Sequence, residues 1–361
     1  MEKFLNSWFM LIPLLTAFLF PGLPNRATAG EPDGLARCAA IGDDSERLRC
    51  YDELAGRAPA QPEAAAPQEA RPPRDAAATF DPGKGNEGEQ PDQHSPLSAR
   101  WELEPGTKQG RFNFTAYRPN YFLPFDYTNH PNVTPSAPGQ PPVVTAQDLD
   151  HTEAMFQLSF KIKLAEGLLG SSDDLWFGYT QQSVWQMYNK ALSSPFRNTD
   201  YEPEVMYVIP TDVNFLGMKL RMVSLGLSHQ SNGNGEPLSR SWNRAYAQFG
   251  FEGENFVLMV KPWYRFDEDT PDDDNPDISD YVGRGEIQGV YRLGKQELSA
   301  RWRNNFQSHD NRGSIQLGWS FPLAGKLKGY AQFFNGYGET LLDYNHQQTT
   351  FGVGFLLTDW Y

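Results

Sequence analysis

Gly226-Leu227-Ser228-His229-Gln230-Ser231-Asn232-Gly233-Asn234-Gly235-Glu236-Pro237-Leu238-Ser239-Arg240-Ser241-Trp242-Asn243-Arg244 reads as a β-hairpin that carries a His, a Ser and an Asn. Before the turn, Val223, Leu225, Leu227, His229 and Ser231 alternate with Met222, Ser224, Gly226, Ser228 and Gln230. After it, Asn243, Ala245, Ala247, Phe249 and Phe251 alternate with Trp242, Arg244, Tyr246, Gln248 and Gly250. Side chains alternate faces along a strand, so in each arm the polar residue ends an apolar row. If His229 pairs across from Asn243, Ser231 pairs with Ser241 and the loop is 232–240. Directly opposed residues have Cβ atoms about 4.5–5.5 Å apart, and residues two apart on one face are about 6.5–7 Å apart. One imidazole then reaches a Ser hydroxyl with one nitrogen and an Asn amide with the other, which is nucleophile, base and orienter in sequence.

The same alternation recurs outward from this hairpin. Phe156, Leu158, Phe160, Ile162 and Leu164 form one apolar row; Ile315, Leu317, Trp319 and Phe321 form another; Phe351, Val353, Phe355 and Leu357 a third. A soluble sandwich would alternate too. Three features favour a membrane barrel instead. Trp176, Trp185, Trp263, Tyr264, Trp302, Trp319 and Trp360 bound the apolar rows, as interfacial girdles do. The opposite rows carry Lys161, Lys163, Arg244, Glu286, Gln288, Arg301 and Arg303, which suit a polar lumen. The chain closes on Trp360-Tyr361, which resembles the ending of bacterial outer-membrane barrels.

The expected fold is all-β: a twelve-stranded antiparallel transmembrane β-barrel with a disordered N-terminal extension. Strands are predicted near 111–119, 153–165, 174–187, 201–211, 217–231, 241–252, 255–266, 281–293, 296–305, 312–321, 325–337 and 349–361. Short connections at 212–216, 253–254, 294–295 and 322–324 alternate with mostly longer ones at 188–200, 232–240, 267–280, 306–311 and 338–348. Short turns belong to the periplasmic side and long loops to the outside. His229, Ser231 and Asn243 then fall at the outer ends of their strands, facing out at the level of the outer leaflet. From parity and spacing alone two readings stand. Either these are site residues that meet a membrane substrate, or the apolar belt ends at Leu227 and they lie in water.

Upstream, residues 1–29 read as a secretory signal: Lys3, an apolar run from Trp8 to Phe20, and Ala27-Thr28-Ala29 as the cleavage site. Residues 30–54 form a small periplasmic segment in which Cys38 and Cys50, the chain's two cysteines, are expected to pair around a helical stretch. Residues 55–98, rich in Ala, Pro, Glu and Gln, form a flexible tether, and the barrel occupies 99–361. The net charge of −14 argues against a nucleic-acid partner. Phosphate-loop, dinucleotide and zinc spacings are lacking. The acidic run 267–277 lacks EF-hand spacing and reads as a solvated outer loop. His151, His309 and His346 read as surface residues of loops.

At the hairpin and around it the sequence resembles a known family, the outer membrane phospholipase A enzymes. The likeness runs from about residue 150 to the end. It is densest in Tyr179-Thr-Gln181-Gln-Ser-Val-Trp-Gln186, Ser193-Ser-Pro-Phe-Arg-Asn-Thr-Asp-Tyr-Glu-Pro203, His229-Gln-Ser-Asn-Gly233, Ser239-Arg-Ser-Trp-Asn-Arg244, Lys261-Pro-Trp-Tyr264, Asp274-Asn-Pro-Asp-Ile278 and Gly336-Tyr-Gly-Glu339. The resemblance implies hydrolysis of acyl ester bonds in phospholipids and lysophospholipids, calcium dependence and activation as a homodimer in the bacterial outer membrane.

By position it implies Ser231 as nucleophile, His229 as general base and then acid, and Asn243 as orienter. The backbone amide of Gly233, just past the nucleophile, is the expected oxyanion donor. The implied calcium ligands are the Ser239 side chain, the carbonyl of Asn234 and Ser193 from a second subunit. The family carries Arg where this chain has Asn234, a change a backbone carbonyl survives. Gln181 matches a residue of the dimer interface. The runner-up reading is a passive channel or structural barrel whose triad has decayed or never worked; the crowded lumen speaks against wide-pore conduction.

Overall fold

The structure is a computed structural model that describes residues 37–55, 95–169, 172–269 and 273–361. The expected signal and nearly all of the expected tether lie outside the described residues. Within 37–55, helix α1 (Asp44–Leu54) starts at Asp43, whose carboxylate accepts from the backbone of Ser45 and Glu46. Cys38 and Cys50 are disulfide-bonded, with Cα atoms 5.5 Å apart. The helix is displaced from the expected stretch between the cysteines: it begins only after Gly42 and the cap Asp43 and runs past Cys50 to Leu54.

From residue 95 onward the chain is built of antiparallel strands. They are β1 (Phe114–Ala116), β2 (Asn120–Thr128), β3 (Thr152–Glu166), β4 (Asp174–Trp185), β5 (Phe196–Phe215), β6 (Met218–Ser231) and β7 (Ser241–Glu252). There follow β8 (Phe256–Phe266), β9 (Gly285–Leu293), β10 (Gln296–Asn304), β11 (Gly313–Ala324), β12 (Leu327–Gly336) and β13 (Gln348–Thr358). Each of β3 to β13 pairs with its sequence neighbours, and β2 pairs with both β3 and β13, so twelve strands close into a barrel. Closure leaves these strands no free edge. The three-residue β1 pairs with β3 below β2.

Four expectations need correction. The first full strand is Asn120–Thr128, not 111–119. Proline is unfavourable within a strand, but β2 holds Pro124 at a register shift between Leu123 and Asp126. The stretch 281–293 is a strand only from Gly285; Ile278–Val282 is a short helix, α3. Strands β5 and β11 run on through 212–215 and 322–324, because the ladder continues there across a register shift: Val213 pairs with Leu220 and Phe215 with Met218, and Pro322 pairs with Lys328 and Ala324 with Leu327. Finally, the aromatic girdle is smaller than expected. Trp185, Tyr264, Trp302 and Trp319 face out, but Trp176 and Trp263 point into the lumen, and Trp360 and Tyr361 pack against its apolar core after β13 has ended.

The lumen is filled. Glu202 accepts from Arg118 and Arg244 at 2.6 Å each, and Glu204 from Arg118 at 2.6 Å and Lys261 at 2.8 Å. The low dielectric there makes each unpaired charge costly, so the pairing keeps these residues inside. Helix α2 (Pro96–Trp101), capped by Ser95, inserts Leu97 and Trp101 among Trp176, Met206 and Met222. The body of the barrel domain therefore begins before residue 99. Lys161 lies 3.9 Å from the centre of the Trp101 ring. A void lined by Arg118, Glu202, Arg301 and Glu339 measures about 40 Å³, enough for water but not a channel.

Gly226 shows how tightly the inner row is packed. A Cβ there would lie 2.3 Å from the ring of Tyr246, so the position needs glycine. It stands between Leu225 and Leu227, both about half exposed on the outer face. The odd row of β6 is thus the outer one, as the alternation requires.

Candidate active site

Strands β6 and β7 place His229 opposite Asn243 and Ser231 opposite Ser241, the register the hairpin's alternation predicts. All four sit on the outward row, half-buried, just beyond Leu225 and Leu227. His229 Nδ1 and Asn243 Oδ1 are 2.8 Å apart. Since Asn243 Oδ1 can only accept, the bond places the proton on Nδ1 and leaves Nε2 free as a base. Ser231 follows His229 on the same row. No His229–Ser231 hydrogen bond is formed among the described residues, as is common for a nucleophile and base without substrate.

The loop after Ser231 is tied at its neck by Asn232, which is buried. Its side-chain nitrogen donates to Asn198 at 3.2 Å and to the Leu238 carbonyl at 2.8 Å; its oxygen accepts from the backbone of Asn234 at 3.3 Å and of Arg240 at 3.0 Å. Gly233 follows with φ of +66°, a left-handed conformation that suits glycine. It stands two residues past the serine. Arg240, fully buried, donates to the carbonyls of Pro237 and Ser239, and burial lowers its pKa.

The remaining expected residues lie as follows. Ser239 donates to Asp274 at 2.6 Å, and Ser241 donates to the same oxygen at 3.3 Å. Asn234 lies in the same loop, with its amide on Asn232. Ser193 is on the exposed turn between β4 and β5, with φ of +62°. Gln181 faces out from β4, accepting from Tyr179 at 3.3 Å and donating to Ser183 at 3.3 Å. His151, His309 and His346 are in loops; the ring of His346 stacks on that of His130, with centroids 4.8 Å apart. The structure thus joins His229, Ser231 and Asn243 in one row and Asn234 and Ser239 in one loop, with Ser193 and Gln181 on neighbouring elements.

Comparison with known proteins then decides the family. The family profile described as Phospholipase A1 matches residues 97–357. The chain belongs to the phospholipase A1 family. A putative phospholipase A1 of Neisseria meningitidis serogroup B is 37% identical over 382 residues, covering 98% of this chain and 97% of that protein. The phospholipase A1 of Escherichia coli K12 is 42% identical over 214 residues, 59% of this chain and 72% of that protein. The outer membrane phospholipase A from Escherichia coli superposes with a TM-score of 0.64 at 36% identity, covering 74% of this chain and 98% of that one. A Salmonella typhi outer membrane phospholipase, solved as a dimer with bound calcium, gives 0.66 at 35% identity, covering 74% and 100%. The chain is therefore a phospholipase and a β-barrel of the bacterial outer membrane.

Four residues of this region had no role in the sequence reading: Asn232, Arg240, Asp274 and Glu268. Glu268 accepts from Asn243 Nδ2 at 2.7 Å. Burial, set partly against that bond, pushes its carboxyl above the ordinary range. It comes from the acidic run that reads as solvated. The signal for it was parity: Phe266 is registered beside Asn243, so Glu268, two residues on, continues the outward row.

Proposed function

We propose that this phospholipase hydrolyses acyl ester bonds of phospholipids and lysophospholipids at the outer leaflet, with Ser231, His229 and Asn243 as its triad, in a calcium-dependent reaction activated by dimerisation. The observation that carries the reading is the 2.8 Å bond between His229 and Asn243 on the same outward row as Ser231. A nucleophile facing lipid meets an ester that arrives by lateral diffusion.

In this reading His229 Nε2 takes the proton of Ser231 Oγ as the oxygen attacks the ester carbonyl. The tetrahedral intermediate places its negative oxygen near the Gly233 amide. His229 then gives the proton to the leaving alcohol, which departs as a lysophospholipid or, from a lysophospholipid, as a glycerophosphodiester. Water, deprotonated by His229, releases the fatty acid and restores Ser231. Asn243 keeps the imidazole in one tautomer throughout.

The donor chemistry fits calcium. Ser239 and the Asn234 carbonyl are oxygen ligands of the kind calcium takes, and the Asp274 carboxylate 2.6 Å from Ser239 adds negative charge. Ser193 of a second copy would complete the set. Bound calcium would supply positive charge beside the oxyanion. Gln181, outward on β4, is assigned to the dimer contact. Residues 1–29 are assigned to export, and 30–54 to a periplasmic segment joined by the tether 55–98.

The test is hydrolysis of a phospholipid analogue by purified, folded protein, with calcium or with chelator, beside Ser231→Ala. Calcium-dependent turnover that the variant loses supports the assignment. Turnover that survives in Ser231→Ala sinks it.

A further inference from the structure

An asparagine is an ambiguous orienter. Its oxygen and its NH2 group are nearly the same size, yet only the oxygen can accept from His229 Nδ1–H. Turned over, the amide would present donors to a donor, and the imidazole would lose both its anchor and its tautomer. Something must choose the orientation, and at Asn243 the structure offers one group for it. Glu268 accepts from Asn243 Nδ2 at 2.7 Å while Asn243 Oδ1 lies 2.8 Å from His229 Nδ1. An ionised carboxylate has acceptors alone, so a turned amide would set oxygen against oxygen on that side too.

We propose that Glu268 is a positioning residue of the reaction, holding the Asn243 amide with its oxygen toward His229, so that the row Glu268–Asn243–His229–Ser231 acts as one relay. The inference rests on the triad reading above. It also answers a chemical deficit of that triad. A neutral amide gives the imidazolium no counter-charge, whereas a carboxylate on the far side of the amide polarises it and brings negative charge within two hydrogen bonds of the ring.

The loop that carries Glu268 is anchored independently. Arg265 holds Asp273 through contacts of 2.6 and 2.7 Å, and Asn275, fully buried, accepts from the Ser241 backbone at 2.9 Å. Glu268 therefore stands two residues past a strand end fixed at Phe266, and the described residues from 273 on have anchors of their own.

The experiment measures kcat and KM on a phospholipid analogue at saturating calcium, with a calcium titration beside it, using the full chain, for Glu268→Ala, Glu268→Gln, Asn243→Ala and the double variant Asn243→Ala/Glu268→Ala. Ser231→Ala runs beside them, and near-ultraviolet circular dichroism checks that each barrel is folded. Glu268→Ala is expected to lower kcat about tenfold with KM little changed, the scale of one charge-assisted hydrogen bond felt in the transition state. Glu268→Gln keeps an acceptor for the amide and recovers part of the loss. The double variant is no slower than Asn243→Ala, because Glu268 acts through that residue alone.

Losses that multiply in the double variant, a wild-type rate in Glu268→Ala or in Asn243→Ala, or a change confined to KM would each overturn the inference. So would a rise in the calcium requirement with kcat intact at saturation, which would make Glu268 a servant of the metal. Activity in Ser231→Ala is the separate result that removes the triad itself.

Discussion

Ser239 donates its hydroxyl hydrogen to Asp274 at 2.6 Å, joining the loop after β6 to the loop after β8. A serine held this way keeps its lone pairs turned aside from the carboxylate and its neighbourhood anionic, which favours a hard cation. Ser239→Ala is therefore expected to raise the calcium concentration for half-maximal activity by about tenfold or more, the usual scale for disturbing a metal site's ligands and supports. A calcium titration of hydrolysis reads it. Unchanged calcium dependence would remove Ser239 from the ligand set.

Ser231→Ala and His229→Ala should each lower kcat by about 10⁴-fold or more, and combining them should add little, since the members of a triad act as a unit. Asn243→Ala should cost less, because the amide orients the ring without charging it. Steady-state rates on one substrate analogue give all four values.

Gln181 faces out of the wall, bonded at 3.3 Å to Tyr179 and at 3.3 Å to Ser183 within its own strand. A polar side chain at an outer face gains when a second copy supplies partners, by about 1 kcal/mol in lipid. Gln181→Ala should thus weaken self-association by roughly fivefold, as sedimentation or cross-linking in detergent would show, and leave the folded monomer intact. Association as tight as in the unaltered chain would move the contact elsewhere.

The loop after β12 is expected to loosen only in strong acid. Burial pushes the Asp343 carboxyl up, but Arg197, 2.7 Å away, outweighs this and holds it below the ordinary carboxylate range. The unfolded chain then binds a proton before the folded one does. The contribution is complete above the ordinary carboxylate range and disappears as pH falls through the lowered value. Glu339 in the same loop runs the other way, raised by burial and by Asp126, so the effect is read as a difference. Hydrogen exchange of 337–347, taken relative to the intrinsic rate at each pH, should rise at low pH in the unaltered chain. In Asp343→Asn it should be fast already at neutral pH.

Much of the site was legible because a strand offers two faces. Once Leu225 and Leu227 are assigned outward, His229 and Ser231 follow, and Asn243 follows from the register. What stayed hidden depends on where a loop turns. Asp274 belongs to a run whose composition says only that it is acidic, and nothing local announces its partner Ser239; Glu268 had only the parity of β8 to place it, carried two residues past the strand end. The first strand was misplaced for a similar reason. Pro124 is a local penalty for a strand, and the pairing of β2 with both β3 and β13 overrides it. Trp176 and Trp263 show that residue type without parity misleads: both are aromatic, and both serve the lumen.

The packed interior bears on what the proposed reaction does to the cell that hosts it. With Arg118, Glu202, Glu204 and Lys261 locked together and helix α2 wedged beside them, the barrel offers no route inward for anything made at its outer wall. Fatty acid and lysophospholipid formed at Ser231 would stay in the leaflet that supplied the substrate. They are detergents, and they would thin the very layer the enzyme stands in. Such a catalyst is safest when idle, and the proposed split of its calcium ligands between two copies would keep a lone molecule idle without any inhibitor.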